Sequence, residues 1–119
     1  MKTGDIEGGL AVYRDAVKAH PDQVDLRRGY AKVLERSGKV AEAIEGYTEA
    51  IRANPQTVEF HEDLAELLER SGRVEESIAE YDRVIDLLTD QLRLKPENWT
   101  IRRLGLALLA RGKPGEAMA

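Results

Sequence analysis

The chain has 119 residues, 42% of them hydrophobic and 34% charged, with a net charge of −4 and no cysteine. That length suits one ordinary domain with its own buried core, and one Trp, one Phe and four prolines favour long polar-faced helices over strands. The missing cysteine excludes disulfides, thiolate metal sites and thiol catalysis, and the acidic balance argues against a general nucleic-acid binder, which presents a basic face to phosphate.

The first predicted element starts at Gly4 and carries Ile6, Leu10, Tyr13 and Val17 at helical spacing before Pro21. No apolar run approaches the roughly 18 residues of a membrane span, and residues 1–10 lack a secretory apolar stretch. With Met1 as the native start, the expectation is a cytoplasmic protein with no membrane partner.

Next, Leu26, Tyr30, Val33 and Leu34 form a helical stripe ahead of Ser37-Gly38. Val40, Ile44, Tyr47 and Ile51 form another ahead of Pro55. Asp22 stands where an N-cap would satisfy orphan amides, as do Thr57 and Asn98 further on. Gly38 supplies the left-handed residue that ends the first helix of the pair, and the prolines at 21, 55 and 96 stop the second.

The pattern repeats every 34 residues: Gly4, Gly38 and Gly72; Ile6, Val40 and Val74; Leu10, Ile44 and Ile78; Tyr13, Tyr47 and Tyr81; Val17, Ile51 and Ile85. Small residues recur where paired helices must approach closely, at Ala31, Ala65 and Gly105 and at Ala43, Ser77 and Ala117. Gly8, Gly9 and Gly46 fall mid-helix, where easing of close packing would explain them.

The third unit is longer. The next loop glycine after Gly72 is Gly112, and no Gly or Pro interrupts residues 86–95, so the spacing predicts one helix over 73–94, about 33 Å long. Its apolar face reads Val74, Ile78, Tyr81, Ile85, Leu88 and Leu92, a short coiled-coil-like seam. That face either packs on the next helix of the chain or projects to recruit another chain. The last unit runs from Asn98 with a turn expected at Gly112.

These columns, with the tyrosines and closing prolines, resemble the tetratricopeptide repeat family over essentially the whole chain. The resemblance implies an all-α fold, a right-handed superhelical solenoid of antiparallel helix hairpins. Residues 4–22 would be the second helix of a partial repeat, 23–56 a full repeat, 57–97 a full repeat with an extended second helix, and 98–119 a partial repeat. The Trp frequent early in the family's first helix is replaced by Arg27, His61 and Ile101.

The family lines its concave groove with the first helix of each hairpin. That points to Asp25, Arg28, Lys32, Glu35 and Arg36, then Glu59, Glu62, Glu66, Glu69 and Arg70, then Trp99 and Arg102. Residues 58–97 hold 12 acids against 5 bases, while 98–119 hold 4 bases against 1 acid. The four glutamates form either a solvated face or a docking stripe for a basic peptide, with Trp99 as an aromatic anchor. Such a peptide would bind with strong salt dependence and be lost on Glu62→Lys plus Glu66→Lys. The family's clamp for acidic C-terminal peptides is not expected: Arg28, Lys32, Asp63, Trp99 and Arg103 stand at the comparable places, without its asparagine.

Catalysis needs convergent polar groups in a sheltered pocket, and none stands out. Ser37 and Ser71 are turn residues and Ser77 is in a small-residue column. His20 sits at a helix end, and His61 lacks a second ligand at zinc spacing. No catalytic residue, metal site or cofactor is expected. Both ends lack polar capping elements, so Leu10, Val12 and Tyr13, and Leu104, Leu106, Leu108 and Leu109, are expected to be partly uncovered. The functional expectation is a non-enzymatic scaffold holding a protein or peptide. The uncovered ends are explained either by the chain being a segment of a longer repeat array or by the ends covering each other head to tail between copies, and two alternative functions stay open: such a homo-oligomer, and an accessory segment of a larger enzyme.

Overall fold

In the computed structural model residues 3–118 are described, with side chains over residues 6–112. Among them are six α-helices and no strand: α1 Thr3–Ala19, α2 Val24–Arg36, α3 Val40–Ala53, α4 Val58–Arg70, α5 Val74–Leu94 and α6 Asn98–Met118.

The first helix of each full pair ends in the same turn. Gly38 and Gly72 have φ of 80° and 79°, a conformation that a Cβ would strain. In the Schellman arrangement that follows, Lys39 N–H donates to the Leu34 carbonyl at 2.9 Å and Gly38 N–H to that of Glu35 at 3.0 Å. Arg73 and Gly72 repeat this on Leu68 and Glu69 at 2.9 and 3.1 Å. The Ser37 and Ser71 hydroxyls donate back to the Val33 and Leu67 carbonyls, each at 2.8 Å.

The helix starts depart from expectation. Gln23, not Asp22, is the N-cap of α2. Thr57 is the N-cap of α4, but neither side chain makes a capping hydrogen bond. Asn98 is itself the first residue of α6. Backbone turns set these entries instead: Gln23 N–H to the His20 carbonyl at 3.1 Å, Thr57 to Asn54 at 3.2 Å and Thr100 to Glu97 at 3.1 Å.

The chain divides into two compact units, Met1–Ala53 and Asn54–Ala119. In the first, α1 packs on α2 and α2 on α3, burying Leu10, Ala31, Leu34, Ala43, Tyr47 and Ala50. Leu10, expected to be partly uncovered, is therefore core. Gly29 admits the Tyr13 ring, since a Cβ there would lie 2.8 Å from Tyr13 Cε1. In the second unit α4 packs on α5 and α5 on α6. Ser77 Oγ donates to the Ala65 carbonyl at 2.9 Å, so the two helices meet at side-chain-to-backbone range, as the small-residue columns require.

That column logic fails at Gly105, where no atom lies within 4 Å of an added Cβ; the Ala117 side chain lies outside the described residues. Gly8, Gly9 and Gly46 are likewise open, so close packing does not account for them. Gly46→Ala is therefore expected to raise stability by about 0.5–1 kcal/mol through helix propensity alone, seen as a higher urea midpoint.

α5 has 21 residues and spans about 31 Å. Its buried seam is Ser77, Tyr81, Val84 and Leu88, rotated from the predicted one. Ile78, Ile85 and Leu92 are half-buried, because α4 and α6 flank the helix and the most enclosed sector lies between them. Val58, Val84, Leu88 and Ala107 form a core cluster with Ile85, Leu87 and Leu104 against it. The added turns thus pack their apolar side on α6, and of their large hydrophobic residues the tip Leu94, 87% exposed, is left uncovered.

The turn expected at Gly112 is absent, since α6 runs unbroken to Met118. Arg111 stands where Ser37 and Ser71 precede the other loop glycines. It does not turn back on its own helix as those hydroxyls do; its Nε donates to Asp82 of α5 at 2.7 Å.

Candidate functional site

His61 lies on α4 in the second unit. It is buried, with Nε2 3.0 Å from the Pro55 carbonyl and Nδ1 2.7 Å from Glu80 Oε2. With Glu80 ionised both partners are acceptors, an arrangement that favours the doubly protonated ring. Burial pulls the imidazole pKa down, but the Glu80 hydrogen bond, the Pro55 carbonyl and the Glu80 charge together raise it above the ordinary 6.5, against opposition from Arg83. In the first unit Arg27, one repeat earlier, donates its Nε to the Pro21 carbonyl at 2.6 Å. The residue at the place of the family's frequent tryptophan thus ties the first helix of each full repeat to the proline that closes the unit before it.

The α4 residues expected to line the groove do not form a uniform acidic stripe. Arg103 of α6 reaches Glu62 at 3.0 Å and Glu59 at 3.8 Å, and its Cζ lies 5.8 Å from the centre of the Trp99 ring, within cation–π range. Glu69 is engaged toward α5, where its Oε2 accepts the Tyr81 hydroxyl at 2.9 Å. Burial raises the Tyr81 pKa well above its usual value, and the Glu69 bond adds to the effect. Glu66 and Arg70 are exposed, whereas Asp63, expected in the groove, is buried.

On α6 Trp99 is 47% exposed, and its indole N–H donates to Glu97. Trp99, Arg102, Arg103 and Leu106 line a shallow concavity. The structure therefore brings together Glu59, Glu62, Trp99, Arg102 and Arg103. On α2, which belongs to the first unit, Asp25, Lys32 and Arg36 are exposed while Arg28 and Glu35 are half-buried.

Sequence reasoning missed Leu106 as a neighbour of Trp99 in this concavity and Arg103 as the cation paired with Glu59 and Glu62. The available signal was the 40-residue offset between Gly72 and Gly112, which sets Leu106 in the column of Glu66 and Trp99 in that of Glu59. Chemically the face offers a flat aromatic surface, an apolar edge and charges of both signs. The serine hydroxyls are committed to carbonyls of Val33, Leu67 and Ala65, which leaves them poor nucleophile candidates.

A sequence profile for the tetratricopeptide repeat matches residues 1–56 and again 36–98. No curated protein matches the sequence. Among solved structures, a tetratricopeptide repeat domain protein from Salinibacter ruber is 21% identical with a TM-score of 0.56, over 72% of this chain and 92% of its own. MamA from Desulfovibrio magneticus RS-1, residues 41 to the end, is 17% identical with a TM-score of 0.57, over 95% and 66%. A tetratricopeptide repeat protein from Parabacteroides merdae is 18% identical with a TM-score of 0.58, over 96% and 55%; this chain therefore spans just over half of that protein. At such identities these likenesses speak for the fold alone, all-α helical hairpins. The profile match extends over most of the sequence, and the chain belongs to the tetratricopeptide repeat family.

Proposed function

We propose that this protein is a non-catalytic scaffold that holds a segment of another protein on the α4–α6 face of its second unit. The tetratricopeptide fold supports protein–protein interaction in general. The observation that carries the finer reading is the exposed Trp99 beside Arg102 and Leu106, facing the α4 glutamates. An aromatic anchor in a shallow depression with charge at its rim is the usual make-up of a binding hot spot.

The segment that fits is extended or helical, with one apolar side chain for the Trp99–Leu106 concavity and a basic one for Glu66. Glu59 and Glu62 already share Arg103 and serve to hold that face in shape. A cytoplasmic setting without nucleic-acid or membrane partners belongs to the same proposal. No helix among the described residues is long and apolar enough to cross a membrane.

Peptides selected from a random library on the wild-type protein are expected to carry this apolar–basic pairing. Trp99→Ala with Glu66→Lys is expected to weaken them about 30-fold, measured by titration calorimetry. Glu66 is the better charge reversal, because Glu62→Lys would also break the bridge to Arg103. Unchanged affinity in that double variant would remove the site.

A further inference from the structure

The first helix of each full repeat is entered through the same turn. His20-Pro21-Asp22-Gln23 and Asn54-Pro55-Gln56-Thr57 lie 34 residues apart, and in each the N–H of the last residue donates to the carbonyl of the first, at 3.1 and 3.2 Å. A side chain six residues past the proline then clips the turn to the helix. Arg27 Nε donates to the Pro21 carbonyl at 2.6 Å, and His61 Nε2 stands 3.0 Å from the Pro55 carbonyl. The geometry is shared and the acid–base chemistry is not. A guanidinium keeps all its N–H groups at any pH a protein meets, whereas an imidazole gives one up near neutrality.

The clips also differ in what stands behind them. Glu80 of α5 places Oε2 2.7 Å from His61 Nδ1, while Gly46 holds that column of α3, one repeat earlier. From α5 the charged groups acting on the imidazole are Glu80 and Arg83. The turn offers only its carbonyl, since residues 54–57 carry no charge. Beside His61 on its own helix are Glu62, paired with Arg103, and the buried Asp63.

The two ring contacts are unequal once a proton leaves. The remaining proton belongs on Nδ1, because a carboxylate holds it more strongly than an amide carbonyl does. Nε2 then turns a lone pair toward the Pro55 oxygen 3.0 Å away, and two acceptors face each other.

We propose that His61 is a proton-operated clip on the turn that leads into α4: protonated, it holds residues 54–57 to the helix, and neutral, it keeps Glu80 and releases the turn. Arg27 is the permanent form of the same device. Burial opposes the charged ring, and so does Arg83, but the Glu80 bond, the Pro55 carbonyl and the Glu80 charge hold its pKa above 6.5. The clip is therefore closed at pH 6 and opens as pH rises through that raised value. Neither Trp99 nor Glu66 takes part, so the clip and the partner site stand or fall separately.

Nuclear magnetic resonance of the full chain between pH 6 and pH 9 tests this with two readings. The ring-nitrogen shifts of His61 are expected to show both nitrogens protonated at pH 6 and, above the titration, the proton retained on Nδ1. Over the same range the Thr57 amide is expected to lose protection against solvent exchange about tenfold relative to its intrinsic rate. The Gln23 amide, its counterpart behind Arg27, is expected to hold constant. In His61→Arg, with helix content checked by circular dichroism, Thr57 is expected to become as insensitive to pH as Gln23. A neutral ring protonated on Nε2 overturns the proposal, as does wild-type Thr57 protection that does not fall. A fall that survives in His61→Arg overturns it too.

Discussion

Replacing Leu88 by alanine is expected to lower the unfolding free energy by about 3 kcal/mol, while Leu94→Ala leaves it within about 0.5 kcal/mol. Both leucines lie on the part of α5 that exceeds the regular repeat length. Leu88 is fully buried in the cluster with Val58, Val84 and Ala107, so truncation removes the transfer energy of three carbons and leaves a cavity that helices on two sides hold open. Leu94 is 87% exposed and loses almost nothing. Urea titrations of the two variants followed by circular dichroism give the comparison. Equal, small effects would mean that the extra turns of α5 are not packed against α6.

His61→Ala is expected to cost about 3 kcal/mol at pH 6, from two hydrogen bonds made by a charged group, and to change how stability responds to pH. The folded-state pKa of His61 is raised above its ordinary 6.5, so the contribution is fully present below about pH 6.5. It is lost as pH rises through the raised value, where the folded state gives up a proton it had held more tightly than the unfolded chain does. Wild-type urea midpoints should therefore fall between pH 6 and pH 9 more than those of His61→Ala, and the gap between the two proteins should narrow. A gap that widens toward alkaline pH would contradict the doubly donating imidazole.

The parts of this architecture that were legible in the sequence are those fixed by local chemistry. Gly38 and Gly72 announce their turns because few other residues tolerate positive φ, and Ser37 and Ser71 strengthen the signal by bonding back one turn. Gly112 shows that glycine alone does not end a helix. Without the serine, and with Arg111 tied to Asp82, α6 continues. The seam of α5 was misphased because periodicity gives a helix's apolar side, not the bisector between two neighbours, and so Val84 was overlooked. The site was less legible still. Glu80 reads as one more surface glutamate until α5 is laid against α4 and His61 is found opposite. Arg103 and Glu62 become partners only when two helices of different repeats are set in register across an irregular 40-residue step.

The position of Arg103 makes the α4–α6 face its own competitor. A basic side chain approaching Glu62 meets an ion pair already formed at 3.0 Å, so binding there exchanges one cation for another and leaves the number of charge pairs nearly constant. Added salt would then weaken both sides of the exchange, so Glu59 and Glu62 would add little ionic-strength dependence and that of the proposed contact would come mainly from Glu66. The displaced guanidinium would be free to take an acidic group from the same incoming segment. For a partner held on this face as proposed, selectivity would then depend on the order of charges along it more than on their sum.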